Sequence, residues 1–344
     1  MSIPIKNIYY LLCYAWDALD QKELVSAGSE DFKDLSDLFA KVLANGITHQ
    51  LKRGLDQGYR CYEETTRSIR GKLLLGPSVQ KMLLPQAQAA CAFDERTANI
   101  LHNQILRSTM RRLLLNEELD SSIREELELV FRRFPPVDDI SLNTRHFDKV
   151  QLTRNNRSYG FLLSVCRVIH DHWLVTEEHG PITFQDFIRD EHRMRLLFQA
   201  FVLNFFIHET PDYRVFPEGI EWHVTVKGPD DHYLPKMTTD VCLVHRKTGK
   251  KTVVETKFKG QVFQHYHGTD KVHSENLYQL YAYLKNIEAK GGANEKCSAI
   301  LLYAAADAEA DLQFQFPGHD IRVRTLDLTQ DWRDIESSLF ALVS

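Results

Sequence analysis

The sequence predicts an α/β protein, because amphipathic helical patterns alternate with short apolar runs rich in β-branched residues. Two of these runs, at 239–243 and 253–257, flank a polar segment that contains a glycine, which is typical of a β-hairpin. A helical pattern follows at 274–286 and a buried strand at 299–303. Strands and helices that alternate in this way form a sheet covered by helices.

The chain of 344 residues fits two domains of ordinary size. The first half opens with apolar residues at helical spacing between residues 8 and 16. Further elements are predicted there as helices at 34–53, 97–115 and 119–133 and strands at 59–66 and 68–75. Pro135 and Pro136 end the last helix, and a polar, irregular stretch continues to residue 158. We interpret this stretch as the interdomain connection, which gives an N-terminal α+β domain at 1–155 and a second domain at 156–344.

The second half is expected to form a mixed sheet flanked by helices. The helix at 190–206 is the most regular of its elements, because its apolar residues recur on one face at Met194, Leu197, Phe198, Phe201, Val202 and Phe205. The other elements predicted outside the hairpin are helices at 160–173, 274–286 and 332–342 and strands at 299–303 and 321–326.

The composition limits the possible partners. The formal net charge is −5, whereas a protein that binds DNA tightly by itself is usually basic. If DNA is the substrate, we therefore expect a partner to supply much of the affinity. No apolar run approaches the roughly 20 residues that a bilayer requires. The sequence thus predicts a cytoplasmic protein without membrane contact.

Cysteine, histidine and glycine patterns exclude other classes of site. The six cysteines are scattered without a CxxC pair, which indicates reduced and mostly buried thiols. His265, His267 and His273 lack a further Cys or His at the spacing that would complete a zinc site. No GxxxxGK[ST] loop occurs, so the chain is not expected to hydrolyse nucleotides itself.

The predicted hairpin carries two carboxylates and a lysine that are candidates for a metal site. Asp240 and Glu255 are equidistant from the turn, and symmetric pairing makes them cross-strand neighbours with Cβ atoms roughly 5 Å apart. Alternation along the strand places Lys257 on the same face as Glu255, with Thr256 pointing away. Two carboxylates this close repel each other unless a cation lies between them. Mg²⁺ accepts one or two carboxylates and keeps bound waters, one of which can become a nucleophile.

We therefore expect Asp240 and Glu255 to hold Mg²⁺, with the backbone carbonyl of Thr256 as a further ligand, while Lys257 orients a water for attack on a phosphodiester. The alternative is a surface hairpin with an ordinary salt-bridge cluster. The apolar runs around both carboxylates favour the metal site, since solvated charges are not expected there. The turn lysines, by contrast, are typical of a solvated face: Lys247, Lys250 and Lys251. The pattern Asp, spacer, Glu-x-Lys resembles the PD-(D/E)xK nuclease superfamily.

The helix after the hairpin adds a second motif. Gln279 and Tyr283 are four residues apart and share one helix face, where they are able to orient water or bind phosphate. The alternative is a polar helix flank with a half-buried tyrosine. Placed after the Glu-x-Lys strand, the pair resembles the Q-x-x-x-Y helix of the RecB-like branch of the superfamily.

An acidic residue on the first core helix often completes the metal site in such nucleases. Glu191 is the best candidate here, as an outer metal ligand. The alternative is that Asp190 and Glu191 cap the helix and complement its dipole.

The motifs together resemble the McrC family, the nuclease subunits of McrBC modification-dependent restriction systems, over nearly the whole chain. The similar segments are IKNIYYLLCYAW at 5–16, IRGK at 69–72, FDE at 93–95, ILRS at 105–108 and NLYQL at 276–280. Two positions depart from the pattern. Relatives often carry Asp where this chain has Glu255, and Glu on the first core helix where it has Gln199.

The resemblance implies a Mg²⁺-dependent endonuclease in the C-terminal domain. It also implies an N-terminal domain that docks on McrB, a hexameric AAA+ GTPase that binds GTP, recognises methylated double-stranded DNA and is stimulated by docking. The strand-rich segment at 59–93 is expected to project into that ring. Two alternatives stay open: a stand-alone PD-(D/E)xK repair nuclease, and a binding adaptor with an inactive nuclease fold.

Overall fold

A computed structural model describes residues 3–19, 32, 35–153, 156, 158–179, 190–224, 228–258, 261–266, 268–305 and 309–343. The chain forms two compact units, and one is interrupted in sequence by the other. We call residues 1–22 together with 183–344 the sheet unit, and residues 23–182 the inserted unit. These bounds differ from the expected division at residue 155, while the roles assigned to 1–155 and 156–344 stay predictions.

The difference at the N-terminus has a clear physical cause. Helix α1 (Ile5–Ala15) buries its apolar face in the sheet unit, and Leu11 is fully buried. The side-chain amide of Asn7 donates to the carbonyl oxygens of Leu328 and Gln330 at 2.8 Å each. The Tyr14 hydroxyl donates to Glu209 at 2.6 Å. These contacts join the start of the chain to its last part, which helical spacing alone does not reveal.

The inserted unit is α+β. Its helices are α2 (Leu35–Arg53), α3 (Leu75–Gln80), α4 (Leu101–Leu114), α5 (Ser121–Arg133), α6 (Thr144–Lys149) and α7 (Tyr159–His179), and its strands are β1 (Gly58–Thr66), β2 (Lys72–Leu73) and β3 (Ala89–Thr97). The long predicted helices are confirmed, except that α7 belongs to this unit rather than to the second half. The connection expected at 136–158 contains α6, which Asn143 caps by accepting from the His146 amide.

The three strands form an antiparallel sheet in the order β1, β3, β2. β1 and β3 pair along their whole length, from Gly58 opposite Thr97 to Thr66 opposite Ala89. The strand expected at 68–75 is reduced to β2, because a tight turn precedes it. Gly71 has φ +65°, and a Cβ there would lie 2.4 Å from the carbonyl oxygen of Ala92. Only glycine fits this approach of the backbone to β3.

The sheet unit is α/β, as predicted. Besides α1 it contains helices α8 (Glu191–Glu209), α9 (Ser274–Glu288) and α10 (Trp332–Ala341). Its strands are β4 (Tyr213–Phe216), β5 (Gly219–Ile220), β6 (Met237–Thr238), β7 (Val241–His245), β8 (Lys251–Phe258), β9 (Phe263–Tyr266), β10 (Thr269–Val272), β11 (Ser298–Ala304), β12 (Asp311–Phe316) and β13 (His319–Leu326). Strands interrupted by Pro and Gly are expected between α8 and the hairpin, and β4, β5 and β6 lie there. The ribbon β9–β10 and the edge strand β12 are not expected from the sequence.

Six strands form the central sheet in the order β12, β13, β11, β8, β7, β4. β11 pairs in parallel with β8 and β13, and the other pairs are antiparallel, so the sheet is mixed. α9 packs over Val253, Leu301 and Val323 on one face. α8 packs on the other face, where Phe198 contacts Phe258 with ring centroids 6.3 Å apart. Burial on both faces explains the nearly continuous apolar runs of β8 and β11.

The apolar face predicted for α8 is confirmed, since all six of its residues are buried: Met194, Leu197, Phe198, Phe201, Val202 and Phe205. Phe201 and Phe205 pack with Tyr14 of α1 and Trp332 of α10 in an aromatic cluster. All six cysteines are free thiols, and only Cys61 is exposed. None of the helices in the described ranges combines the length and apolarity needed to cross a bilayer.

The position of α1 generates a stability prediction. Leu11→Ala should lower the free energy of opening of the sheet unit by about 2–5 kcal/mol, because it leaves a cavity at a fully buried position of α1. Since the chain has two units, the loss should be measured as faster amide hydrogen exchange in β11 rather than from one melting temperature. Lys6→Ala, at an exposed site on the same helix, is the control. Unchanged exchange in β11 of the Leu11 variant would contradict the assignment of α1 to this unit.

Candidate active site

The hairpin forms with the predicted symmetry. β7 and β8 pair from Val241 opposite Val254 to Val244 opposite Lys251. Extending this register by one residue places Asp240, which directly precedes β7, opposite Glu255 within β8. The turn has Gly249 at φ +70°, a conformation that favours glycine. The hairpin geometry therefore brings the two carboxylates together as expected.

Asp240 is held by the residue next to Glu255. Its Oδ2 accepts one hydrogen bond from the backbone N–H of Thr256 at 2.8 Å and another from the Thr256 hydroxyl at 2.7 Å. Both bonds converge on one oxygen, so the carboxylate is fixed in orientation relative to β8. This contact of the Thr256 side chain was not anticipated from the sequence, which suggested a role only for its carbonyl.

The carboxylate of Glu255 is deeply buried in the site. It is 4% exposed, and its Oε1 accepts from Lys257 Nζ at 3.0 Å and from Gln279 Nε2 at 2.8 Å. Its Oε2 is buried and has no hydrogen-bond partner among the described residues. Burial, and then the nearby charge of Asp240, raise the pKa of Glu255 to about 7, although Lys257 and Gln279 oppose the shift. The site thus contains an unsatisfied buried oxygen beside a second carboxylate.

Gln279 on α9 links the remaining groups. Its Oε1 accepts from Lys257 Nζ at 2.9 Å, and its Nε2 donates to Glu255 and to the Tyr283 hydroxyl at 2.8 Å each. The amide orientation is determined by chemistry, because a lysine ammonium only donates and a carboxylate only accepts. Sequence spacing predicted that Gln279 and Tyr283 share a face, and the structure directs that face at the Glu-x-Lys strand.

Tyr283 closes the network on the side of Asp240. Its hydroxyl donates to the carbonyl oxygen of Thr238 at 3.2 Å, two residues before Asp240. Burial, which is the largest influence, raises the pKa of Tyr283, so the phenol is neutral and acts as a hydrogen-bond donor. The five residues predicted as catalytic therefore lie together: Asp240, Glu255, Lys257, Gln279 and Tyr283.

The donor set fits a hard divalent cation. Asp240 and Glu255 supply two adjacent carboxylates, and the buried Oε2 of Glu255 lacks the partner that a cation would provide. Within the described residues, no group of three or more His, Cys, Asp or Glu side chains is arranged to hold a metal. Two carboxylates suit Mg²⁺, which keeps several waters, better than zinc, which takes three or four protein ligands.

Two other metal predictions have different outcomes. Glu191 is exposed in the first turn of α8, and the structure does not gather it with Asp240 and Glu255 into a three-carboxylate group. Asp190 caps that helix, as the alternative reading had it, by accepting from the Arg193 amide at 3.1 Å. A ligand role for Glu191 stays a prediction. His265 forms a surface pair with Asp270 at 3.0 Å, and His267 lies outside the described residues.

One polar cluster beside the site was missed. Lys251, expected on a solvated face, is buried at the start of β8 and forms an ion pair of 2.9 Å with Glu218. Lys247 and Lys250 are exposed as expected. Glu218 lies in a short connection and belongs to no recognisable motif, so only the folded chain reveals its contacts.

Comparisons with known proteins identify the family of the chain. The sequence model of the family described as "McrBC 5-methylcytosine restriction system component" matches residues 6–304. The type IV methyl-directed restriction enzyme EcoKMcrBC of Escherichia coli (strain K12) is 30% identical over 338 residues, which cover 98% of this chain and 96% of that protein.

A solved structure shows that the fold is shared. It is described as a refined half-complex from a tetradecameric assembly of Thermococcus gammatolerans McrB AAA+ hexamers with bound McrC. The TM-score is 0.62 at 17% sequence identity, and the match covers 98% of this chain and 76% of that chain. The family match and the identity to the Escherichia coli protein extend over most of the sequence, which confirms the resemblance inferred from the motifs: the chain belongs to the family of McrBC 5-methylcytosine restriction system components.

Proposed function

We propose that this chain is the DNA-cleaving subunit of a methylcytosine-dependent restriction system, a Mg²⁺-dependent PD-(D/E)xK endonuclease that acts in the cytoplasm with an AAA+ GTPase. The observation that carries the proposal is the buried carboxylate of Glu255. Lys257 and Gln279 both donate to its Oε1, while its Oε2 has no hydrogen-bond partner among the described residues. Asp240 brings a second negative charge close to it. A salt-bridge cluster that served stability alone would not leave this carboxylate oxygen buried and unsatisfied.

The residues divide the work of phosphodiester hydrolysis. Asp240 and Glu255 would hold Mg²⁺, with the Thr256 carbonyl as a further ligand; when bound, the ion supplies a water of lowered pKa and charge stabilisation at the phosphate. Lys257, whose ammonium donates to Glu255 and Gln279, orients the attacking water and offsets developing negative charge. Its positive charge helps to remove the water proton, which passes to solvent, by stabilising the hydroxide that forms. The water oxygen bonds to phosphorus as the bond to the leaving oxygen breaks, and the leaving oxygen takes a proton from solvent.

Gln279 and Tyr283 complete the arrangement from α9. Gln279 fixes the Lys257 ammonium and the Glu255 carboxylate at the same time, so neither rotates independently. Tyr283 bonds both Gln279 and the segment before Asp240 and thereby fixes the helix relative to the hairpin. Such preorganisation lowers the barrier because the groups need not reorganise during the reaction.

The partner is proposed from the inserted unit and from the relatives. Large apolar side chains are exposed between residues 69 and 84, at Ile69, Leu75, Val79, Met82 and Leu84. Exposed apolar side chains concentrated in one such stretch favour a protein interface. We propose that this region, with the β1–β3 ribbon, docks on a McrB-like hexameric GTPase, which would bind GTP and recognise methylated DNA. The net charge of −5 agrees with a partner that supplies DNA affinity.

The catalytic assignment predicts a separation of activities. Asp240→Asn or Lys257→Ala should reduce Mg²⁺-dependent cleavage of methylated DNA by about 100-fold or more, because each removes a charge needed in the transition state. Stimulation of the partner's GTPase should be unchanged. Lys247→Ala, in the exposed turn of the same hairpin, is the control and should cleave normally.

Cleavage and GTP hydrolysis are measured on the same complexes. Full cleavage by Asp240→Asn would refute the site. Robust cleavage by the wild-type chain without any GTPase would favour a stand-alone repair nuclease. Absence of Mg²⁺-dependent cleavage with the partner present would favour an inactive adaptor.

The pKa of Glu255 predicts a pH dependence of stability. Since this pKa is raised to about 7 in the folded chain from an ordinary 4.5, the folded state binds the proton more tightly than the unfolded state. Without metal, the stabilisation is therefore present below about pH 4.5 and is lost as the pH rises through 7, a change on the order of 3 kcal/mol. Glu255→Gln should abolish this slope.

Urea unfolding between about pH 5 and pH 8, with and without Mg²⁺, measures the effect. Mg²⁺ should restore stability to the wild-type chain at the upper end of this range and leave Glu255→Gln unaffected. An identical pH slope in the two proteins would show that Glu255 titrates normally.

The docking surface predicts a binding defect that leaves the nuclease site intact. Val79→Asp, at a position 63% exposed, should weaken binding to the partner GTPase by about tenfold or more, because a charge replaces apolar contact area. Leu115→Asp is the matched control, since Leu115 is a 75% exposed leucine of the same unit outside this stretch. Binding is measured by interferometry on immobilised hexamer. Equal affinities for the two variants would argue against docking through this region.

A further inference from the structure

The buried cluster around Glu218 lies beside the active site and has no role in the proposed chemistry. Glu218 is in the connection between β4 and β5, and its side chain is only 13% exposed. Lys251 Nζ donates to its two carboxylate oxygens at 2.9 and 3.2 Å, and Lys290 Nζ donates to Oε1 at 3.1 Å. The Cys242 thiol donates to Oε2 at 3.4 Å. One carboxylate therefore binds three side chains from separate parts of the sheet unit.

Each partner lies on, or within two residues of, an element that carries or directly adjoins a catalytic group. Cys242 is in β7, two residues after Asp240. Lys251 begins β8, the strand of Glu255 and Lys257. Lys290 follows the end of α9, the helix of Gln279 and Tyr283. Through these contacts, Glu218 ties together the hairpin strands and the helix whose relative placement defines the site.

The backbone of Glu218 adds a direct link to Asp240. Its N–H donates to the Thr239 hydroxyl at 2.9 Å, and its carbonyl oxygen accepts from the Thr239 N–H at 3.0 Å. Thr239 is buried and directly precedes Asp240. The next residue back, Thr238, accepts from the Tyr283 hydroxyl. The segment that leads into Asp240 is thus fixed by Glu218 and by Tyr283.

The charge of Glu218 gives this link its strength. Burial alone would raise the pKa of Glu218, but the bonds from Lys251 and Lys290 hold it below the ordinary value, so the carboxylate stays ionised. Hydrogen bonds between ionised groups are roughly twice as strong as neutral ones. A neutral side chain at this position would leave the Lys251 ammonium buried without its counter-charge.

We propose that Glu218 is a positioning residue of the active site, which holds Asp240 at the correct distance from Glu255 and Lys257 by joining β7, β8 and α9. This role rests on the proposed nuclease function. The competing explanation is an ion cluster that stabilises the sheet unit without affecting the geometry of the carboxylate pair. The two differ in their effect on metal binding, because a displaced Asp240 weakens the metal site even in a folded chain.

The test uses the full chain and compares Glu218→Gln with Glu288→Gln. Glu288 is the matched control, since it also accepts from a lysine, Lys285, and from His319 at 3.2 Å. It joins α9 to β13 but contacts neither β7 nor β8. Mn²⁺ binding is followed by electron paramagnetic resonance without DNA, and kcat and KM for DNA are measured with the partner present. Amide exchange in β11 reports folding.

If Glu218 positions Asp240, Glu218→Gln should weaken Mn²⁺ binding and lower kcat, each by on the order of 10- to 100-fold, with KM for DNA unchanged. Glu288→Gln should leave both values at the wild-type level. Lys290→Met removes one of the contacts at a partly exposed position and serves if Glu218→Gln fails to fold. It should shift both readouts in the same direction by a smaller factor.

Wild-type Mn²⁺ affinity and kcat in Glu218→Gln or Lys290→Met would overturn the role of Glu218 and leave the proposed function standing. Equal losses in the Glu288→Gln control would also overturn it, since they would show that any loss of an ion pair perturbs the site. A wild-type chain that neither binds Mn²⁺ nor cleaves would instead refute the nuclease function, and the role of Glu218 with it.

Discussion

The burial of the Glu255 carboxylate next to Asp240 is the constraint on which the site depends. Removing an ionised carboxylate from water costs several kcal/mol, and a second negative charge nearby increases that cost. The fold offsets part of it with Lys257 and Gln279, which both donate to one oxygen. The other oxygen is buried and has no hydrogen-bond partner in the part of the chain that the structure describes. A cation bound between the carboxylates would offset this cost, which is a physical basis for the proposed metal affinity.

A strained pair of this kind requires rigid surroundings, and the sheet unit supplies them at several levels. β8 is paired on both sides, with β7 and with β11, so Glu255 and Lys257 lie on a central strand rather than at an edge. Two bonds from Thr256 fix the Asp240 carboxylate. α9 packs its apolar face on the sheet and thereby holds Gln279 over the strand. Because packed cores deform little, the carboxylates cannot relax apart.

Local sequence patterns predict the hairpin and the sheet face that carries its charged residues, because both depend on residues close together in the sequence. The two apolar runs are symmetric about the turn, so the register that places Asp240 opposite Glu255 follows from the sequence alone. The same holds for Gln279 and Tyr283 on one helix face. Long-range contacts were beyond such patterns. The position of α1 depends on hydrogen bonds to carbonyl groups more than 300 residues away. Glu218 lies in a short connection without a recognisable motif, and its partners are distant in sequence, so its contacts are not predictable from local patterns. Likewise, charge patterning assigned Lys251 to the surface, whereas Glu218 allows it to be buried.

The interrupted sheet unit has a consequence for the order in which the protein becomes active during synthesis. α1 precedes the inserted unit along the chain, whereas its partners α8, α10 and the Leu328–Gln330 carbonyls follow it and therefore leave the ribosome later. All segments of the inserted unit are synthesised before the second part of the sheet unit. The inserted unit is therefore able to fold while the sheet unit is still incomplete. A nascent chain therefore has its proposed partner-binding unit before its proposed nuclease unit is complete. For a protein proposed to cleave DNA inside the cell that makes it, this order keeps unfinished chains harmless.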